Sequence, residues 1–321
     1  MSFLAICVPT YQRNQELGEL LDALQRQTLP GGGIGVRILV IDNNPDGRAI
    51  EVVNTWTGES VMYPIGYVHE TEPGVVHVRN RALSETRGDD FLVFIDDDEL
   101  PAENWLAELC QRRAETHAAA VFGTVEALYE GAAPPVWMRE GDFHSKLVLE
   151  NGLREKPGGT DNCLIDLAAV RRHDLTFDPR LSLVGGEDTL FFDALLRRGE
   201  ILANAADAKT FERIPENRAT LGWLMKRWRR TGMTDALMIA SRRGGGPAAR
   251  LRAGLEGVVR ILAGGGLAGL SWLGSGARMS PGVARRLYTF QRGRGMVDFA
   301  LGRLVLEYER PTADTVSHPQ A

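Results

Sequence analysis

Three consecutive aspartates, Asp96, Asp97 and Asp98, followed by Glu99, stand directly after the apolar run Phe91 to Ile95. An uninterrupted Phe-Leu-Val-Phe-Ile run suits a strand covered on both faces, as in a parallel sheet with flanking helices. Ligands of such sheets bind outside the carboxyl ends of the strands, which is where these acids fall. Side chains alternate along an extended segment, so Asp96 and Asp98 can converge while Asp97 points away. Two carboxylates held close need a cation to offset their repulsion, and hard oxygen ligands select magnesium or manganese, ions that commonly bridge substrate phosphates. The competing use of the same acids is to cap the helix that begins near Glu103.

A second acidic group, Gly185-Gly186-Glu187-Asp188, precedes the amphipathic run Thr189 to Leu196. The glycines let backbone approach a ligand, and the acids sit at a helix start. A carboxylate there can serve as a general base or simply as an N-terminal cap.

Around these groups the chain repeats a strand-then-helix pattern. Phe3 to Val8 is apolar, breaks at Pro9-Thr10 and leads into Gln15 to Gln27, where Leu17, Leu20, Leu21 and Leu24 recur at helical spacing. Ile38 to Ile41 predicts a second strand, ending in the turn-rich Asp42-Asn43-Asn44-Pro45-Asp46-Gly47. Ile65 to Val68 predicts a third, followed by Pro73-Gly74 and a helix over Val76 to Ser84. With Phe91 to Ile95 as the fourth, the alternation predicts an α/β fold with a doubly wound, mostly parallel sheet. A helix near Trp105 to Thr116 and a β-rich stretch, Ala119 to Tyr129, follow; Gly131 to Gly159 reads as irregular.

Composition excludes several classes. Cys7, Cys110 and Cys163 are odd in number and widely spaced, as expected for small core residues in a reducing compartment. No His-Glu-x-x-His or Gly-x-Ser-x-Gly pattern occurs, which argues against a zinc hydrolase and a serine hydrolase. The apolar stretch at the N-terminus stops at Pro9 and has no basic segment before it, so it reads as a strand and not a signal peptide. Between Pro9 and Asn14 there is no glycine, which disfavours the phosphate loop of a nucleotidyltransferase. A non-catalytic binding module would have no use for both acid groups. Nucleic-acid binding lacks any reading motif.

Together, Pro9-Thr10-Tyr11, Asp42, Pro73-Gly74 with Arg79-Asn80, the aspartate cluster and Gly186-Glu187-Asp188 resemble, in order and spacing over roughly residues 3 to 230, the family 2 glycosyltransferases of the GT-A fold. The resemblance implies inverting transfer from a nucleotide sugar, usually a uridine diphosphate sugar, with a divalent cation, Mn or Mg. It assigns Thr10 and Tyr11, with Pro9 and Arg13, to the nucleotide pocket and Asp42 to the base. Arg79 and Asn80 are expected near the donor sugar and pyrophosphate, with Asp97 also on the donor side. Asp96 is expected to serve the ribose or the metal's outer shell, and Asp98 to ligate the metal directly. Asp188 is the expected base and Glu187 the alternative; Trp137, Asp161 and Gly186 are the expected acceptor residues. Where many members carry a metal-ligating histidine, this chain has Glu212. Pro215-Glu216-Asn217-Arg218, with Arg227 and Arg230, is similar to the subset that builds bacterial exopolysaccharide repeat units, including succinoglycan-type enzymes. For that subset the acceptor is a polyprenyl-diphosphate-linked glycan at the inner leaflet.

The expected division is a catalytic domain over 1–219, with a nucleotide-sugar half to about 100 and an acceptor half from about 101, followed by a helical extension over 220–321. From Leu221 to Arg310 there are 16 Lys and Arg against 5 Asp and Glu, in a chain whose net charge is −5. Ile261 to Ala277 carries no charge but contains six glycines and is shorter than the roughly 20 residues a spanning helix needs. With Trp223, Trp228 and Trp272 nearby, the expectation is a peripheral contact with the inner membrane of a cytoplasmic enzyme. The alternative is a small helical subdomain packed on the catalytic domain.

Overall fold

The computed structural model describes residues 2–29, 33–56, 61–182 and 185–303; the rest of the 220–321 extension, from 304 onward, lies outside the described residues. In chain order the elements are β1 (Ser2–Thr10), α1 (Asn14–Gln25), β2 (Ile34–Asp42), α2 (Ala49–Val53), β3 (Ile65–His69), α3 (Val75–Glu85), β4 (Phe91–Ile95) and β5 (Glu99–Pro101). There follow α4 (Trp105–Thr116), β6 (Ala120–Tyr129), α5 (Val136–Gly141), β7 (Gly152–Arg154), β8 (Asn162–Asp166), α6 (Leu167–Arg172), a 3-10 turn at Pro179–Leu181, α7 (Glu187–Arg197) and β9 (Leu202–Ile214). Three helices close the described chain: α8 (Leu221–Ser241), α9 (Pro247–Gly274) and α10 (Pro281–Ala300).

The strands form one sheet in the order β3-β2-β1-β4-β8-β6-β9-β5, with β7 on β9. The central strands β1, β2 and β4 are buried on both faces, which explains why they read as continuous apolar runs. Leu4, Ile6 and Val8 of β1, with Val93 and Ile95 of β4, join one core with Leu17, Leu20, Leu21 and Leu24 of α1 and Trp105 of α4. Ala5 and Cys7, with Leu92 and Phe94, join the other core with Val76, Val78, Phe191 and Phe192 from α3 and α7. The period of two thus divides each strand between two helical layers. Burial pushes the three free thiols up, Cys110 to about 12, so all three behave as core residues.

The α/β class and the helical extension are as expected, but the second half of the sheet is mixed. The pairs β1-β2, β1-β4 and β2-β3 are parallel, whereas β8 runs antiparallel to both β4 and β6. A parallel return needs a crossover helix. Between β6 and β8 the chain contains only the short α5 and β7, so β8 enters from the opposite end. β6 and β9, joined through longer connections that include α6 and α7, are parallel again.

α9 and α10 meet through glycine. A Cβ on Gly264 would lie 2.5 Å from the Phe290 backbone nitrogen, and one on Gly293 would lie 2.5 Å from the Gly257 carbonyl oxygen, so the two backbones approach more closely than any side chain permits. Of the glycines that count against a spanning segment in the sequence, Gly264 and Gly265 thus meet α10, while Gly266, Gly269, Gly274 and Gly276 have open space around them.

Candidate active site

A cleft of about 960 Å³ opens at the carboxyl ends of β1 and β4, the position that sheet topology assigns to ligands. Its lining includes Pro9 to Arg13 at the end of β1, Pro73 and Gly74 before α3, Arg79, the three aspartates, Lys146, Gly186 and Asp188, Glu212, Arg218 and one face of α8.

Beyond the end of β4 the chain turns, and Asp97 reaches the α1 side. There its carboxylate accepts from the Thr10 hydroxyl at 2.9 Å, the Tyr11 amide at 3.3 Å and the Arg13 guanidinium at 2.6 Å. Asp97 therefore shapes the turn after β1, the expected nucleotide pocket, and is itself nearly buried. Asp96 emerges on the other side. Burial, then the charge of Asp98, pushes its pKa up to about 7.

Asp98 Oδ2 lies 2.8 Å from Arg13 and 3.3 Å from Arg218, and Arg218 also reaches Glu212 at 3.7 Å. Lys146 lies 2.6 Å from Asp161 and 3.6 Å from Glu212. Burial works against the Lys146 ammonium, but Asp161 and Glu212 outweigh it and hold its pKa above the ordinary value. Burial likewise pushes Asp161 up, yet Lys146 prevails and keeps it below the usual carboxylate range. Glu99 is enclosed beneath them, and neither carboxylate oxygen is hydrogen-bonded among the described residues; burial, with Asp96 and Asp161, holds it well above the usual range, which favours the neutral acid.

Among the described residues no group of three or more His, Cys, Asp or Glu converges to hold a metal ion alone. The residues fit a divalent cation of the kind bound by one or two carboxylates plus substrate phosphates. Burial and the negative charge of Asp98 both raise Asp96, and Asp98 is paired with Arg13 and Arg218, so a divalent cation at this place would offset the charge of the two carboxylates.

At the start of α7 the two acids part. Glu187 is 4% exposed and forms an ion pair with the buried guanidinium of Arg79. Asp188 lines the cleft, with Oδ1 accepting from the backbone nitrogen of Thr189 at 2.5 Å. Gly186, whose φ of +88° favours glycine, sits where a Cβ would lie 2.8 Å from the Thr234 methyl group, so α7 and α8 meet at the cleft wall.

Several expected residues lie elsewhere. Asp42 is 0% exposed, and its carboxylate is occupied by the amides of Asn44 and Ala49 and the Tyr67 hydroxyl, so it ties down the loop after β2 instead of lining the cleft; its neighbour Asn43 does line it. Asn80 gives its amide nitrogen to the Phe177 carbonyl and accepts from the Phe177 nitrogen, both at 2.9 Å, which anchors α3 outside the cleft. Trp137 packs on Phe143, centroids 5.8 Å apart, in a cluster with Trp228, and is not itself part of the lining. Asp161 sits behind Lys146, outside the lining.

The division at 219 also fails to separate cleft from extension. Trp223, Arg227, Arg230, Thr231 and Thr234 of α8 line the cleft, at spacings that share one helix face. Arg227 stacks over the Trp223 ring at 5.2 Å and forms no ion pair among the described residues. Trp223 therefore faces the cleft and Trp228 is 3% exposed, which withdraws both from any membrane surface. Lys146 gave no local signal in the sequence; it is placed by a single bridge to Val125 from within the irregular segment. The α8 face was legible as a periodicity, but a row of arginines and threonines also describes a solvated surface.

Residues 5–176, more than half of the chain, match Glycosyl transferase family 2. The chain belongs to this family. This family 2 glycosyltransferase is 38% identical over 237 residues to the Succinoglycan biosynthesis protein ExoM of Rhizobium meliloti (strain 1021), a match that covers 74% of this chain and 75% of that one. The crystal structure of S. aureus TarS 1-349 in complex with UDP is similar with a TM-score of 0.51 at 15% identity, over 94% of this chain and 92% of that chain. A longer S. aureus TarS structure gives 0.52 at 17% identity; 75% of this chain then spans 40% of that one. At these identities the structural likeness speaks for the fold: a mixed GT-A sheet with flanking helices, followed by C-terminal helices.

Proposed function

We propose that this glycosyltransferase moves a sugar from a uridine diphosphate donor, with inversion, to a hydroxyl of a lipid-linked oligosaccharide in exopolysaccharide synthesis on the cytoplasmic side of the membrane. The observation that carries the reading is one cleft whose lining joins Asp188 with Asp96, Asp98 and the cations Arg13, Arg79, Lys146, Arg218 and Arg227. The ExoM similarity supports the pathway, and the UDP complex of the structurally similar TarS supports the donor class.

In this reading the turn from Pro9 to Arg13, shaped by Asp97, receives the nucleotide. Asp188 takes the proton of the acceptor hydroxyl as its oxygen bonds to the anomeric carbon. The bond from that carbon to the phosphate oxygen breaks, and its electron pair leaves on the nucleoside diphosphate. Arg218 and Arg227 then face developing negative charge with fixed positive charge, which lowers the barrier more than in water. Asp98 and Asp96 would hold a divalent cation, which when bound supplies Lewis-acid stabilisation of the leaving diphosphate. The catalytic unit extends through α8, so the proposed boundary lies after Ser241 and not at 219.

Calorimetric titration of uridine and guanosine diphosphates, and of their glucose conjugates, with and without manganese, tests the donor. Binding of the uridine forms, strengthened by manganese, is expected. Equal affinity for the guanosine forms would overturn the uridine choice, and no binding of either would overturn the nucleotide-sugar reading.

A further inference from the structure

α9 has two faces of opposite character. Its inner face, with Ala253, Gly257, Gly264 and Ala268 buried, meets the rest of the helical extension. Directly opposite, Leu251, Leu255, Val259, Leu262, Leu270 and Leu273 follow at steps of three, four and eight residues, each 59% to 70% exposed. Gly266 occupies the one turn without a large side chain. The row spans 22 residue steps, roughly 33 Å at 1.5 Å per residue. Single exposed leucines need no explanation, but a contiguous row of this length marks a surface that is covered in use.

The surrounding charge says by what. Arg243 stands before α9, and Arg278, Arg285 and Arg286 stand after it; all four are exposed and form no ion pair among the described residues. A second copy of the chain packed about a two-fold axis with antiparallel α9 helices would set the basic end of one helix against the basic end of the other, so repulsion opposes that pairing. An anionic lipid surface satisfies both features at once: the leucines enter the acyl boundary and the arginines meet headgroup phosphates. Trp272, 47% exposed beside the row, has the amphipathic ring that favours this depth. By length and mean hydropathy, 1.3 over its most apolar window, α9 could cross a bilayer. Against crossing, its inner face is joined to α10 by backbone approach at Gly264 and carries Arg260, paired with Asp235 at 3.1 Å.

We propose that the outer face of α9 is the membrane seat of this enzyme: the helix lies flat on an anionic bilayer, inserted to the depth of its leucine row and held by the arginines at its ends. The inference deepens the reading of a carrier-linked acceptor by naming the surface that meets the lipid. Its test reads attachment and not transfer, so the two can fail separately.

The test is flotation of the full chain on phosphatidylcholine vesicles and on vesicles containing phosphatidylglycerol, at low and high salt. Comparison is made with the triple variant Leu255→Ser, Leu262→Ser, Leu270→Ser and with Arg278→Glu, Arg285→Glu, Arg286→Glu. Because the substituted side chains are exposed, folding should survive, and circular dichroism checks that it does. The expected result is recovery with anionic vesicles that falls with salt, falls on the order of tenfold or more in the leucine variant, and loses its preference for anionic lipid in the arginine variant. Flotation of the leucine variant equal to that of the unsubstituted chain would overturn the proposal. So would a lipid-free dimer that this variant dissolves, which would make the row a contact between copies. Retention in vesicles after alkaline carbonate washing would instead mean a helix that crosses.

Discussion

Arg79 holds Glu187 in a buried ion pair behind the start of α7, which leaves Asp188 as the acid of that pair facing the cleft. The adjacent carboxylates should therefore respond differently to substitution. Asp188→Asn keeps size but cannot accept a proton at neutral pH, so donor binding should persist while transfer falls by roughly two to four orders of magnitude. Glu187→Gln removes the negative charge from the buried pair with Arg79 and should cost about 3 kcal/mol of stability. Denaturant unfolding and single-turnover transfer, measured on both variants, separate these outcomes.

Asp97 makes a second prediction, because it binds the turn after β1 without entering the proposed chemistry. Asp97→Ala removes three contacts, one of them to a guanidinium, and should cost about 2–3 kcal/mol. Donor affinity should weaken as the turn loosens, while the rate of bound complexes changes less. Nucleotide titration beside a melting curve checks both effects.

The role of α8 is tested at Arg227, which has no ion pair among the described residues to lose. Arg227→Ala should leave the melting temperature nearly unchanged and lower kcat/KM by up to roughly a hundredfold, since it removes one fixed positive charge from the leaving diphosphate. If nucleoside diphosphate affinity also drops, the guanidinium acts on the donor; if only acceptor KM rises, it acts on the acceptor's phosphates.

Metal dependence is tested at Asp98. Chelation by EDTA should abolish turnover and manganese should restore it, and Asp98→Ala should be inactive at any manganese concentration while remaining folded. Full turnover in EDTA would remove the cation from the account and leave Arg13 and Arg218 as the charges opposite the diphosphate.

Much of this organisation was legible in the amino-acid order. The runs in β1, β2 and β4 announce strands because both sheet faces are covered, but alternation does not carry past the end of β4, since the Arg13 guanidinium that grips Asp97 at 2.6 Å also reaches Asp98 at 2.8 Å. Alternation gives a direction but no partner, so the grip of Asp97 on Arg13 was not visible. Asp42 and Asn80 carry residue types suited to a ligand, yet nearby backbone amides and carbonyls claim both side chains. Lys146 reaches the cleft through one bridge from an irregular segment, which no periodicity encodes. The tryptophans of α8 look interfacial in composition, but Trp228 is consumed by packing against Phe143 and Tyr288 and Trp223 by the cleft.

The most direct measurement of the central claim is mass spectrometry of a polyprenyl-diphosphate-linked oligosaccharide after incubation with the enzyme, manganese and a uridine diphosphate sugar. The account predicts that the lipid-linked glycan gains one sugar residue, in a linkage opposite in anomeric configuration to the donor, and that Asp188→Asn abolishes the gain while still binding donor. Transfer undiminished in Asp188→Asn, or a product that retains the donor's configuration, would contradict it.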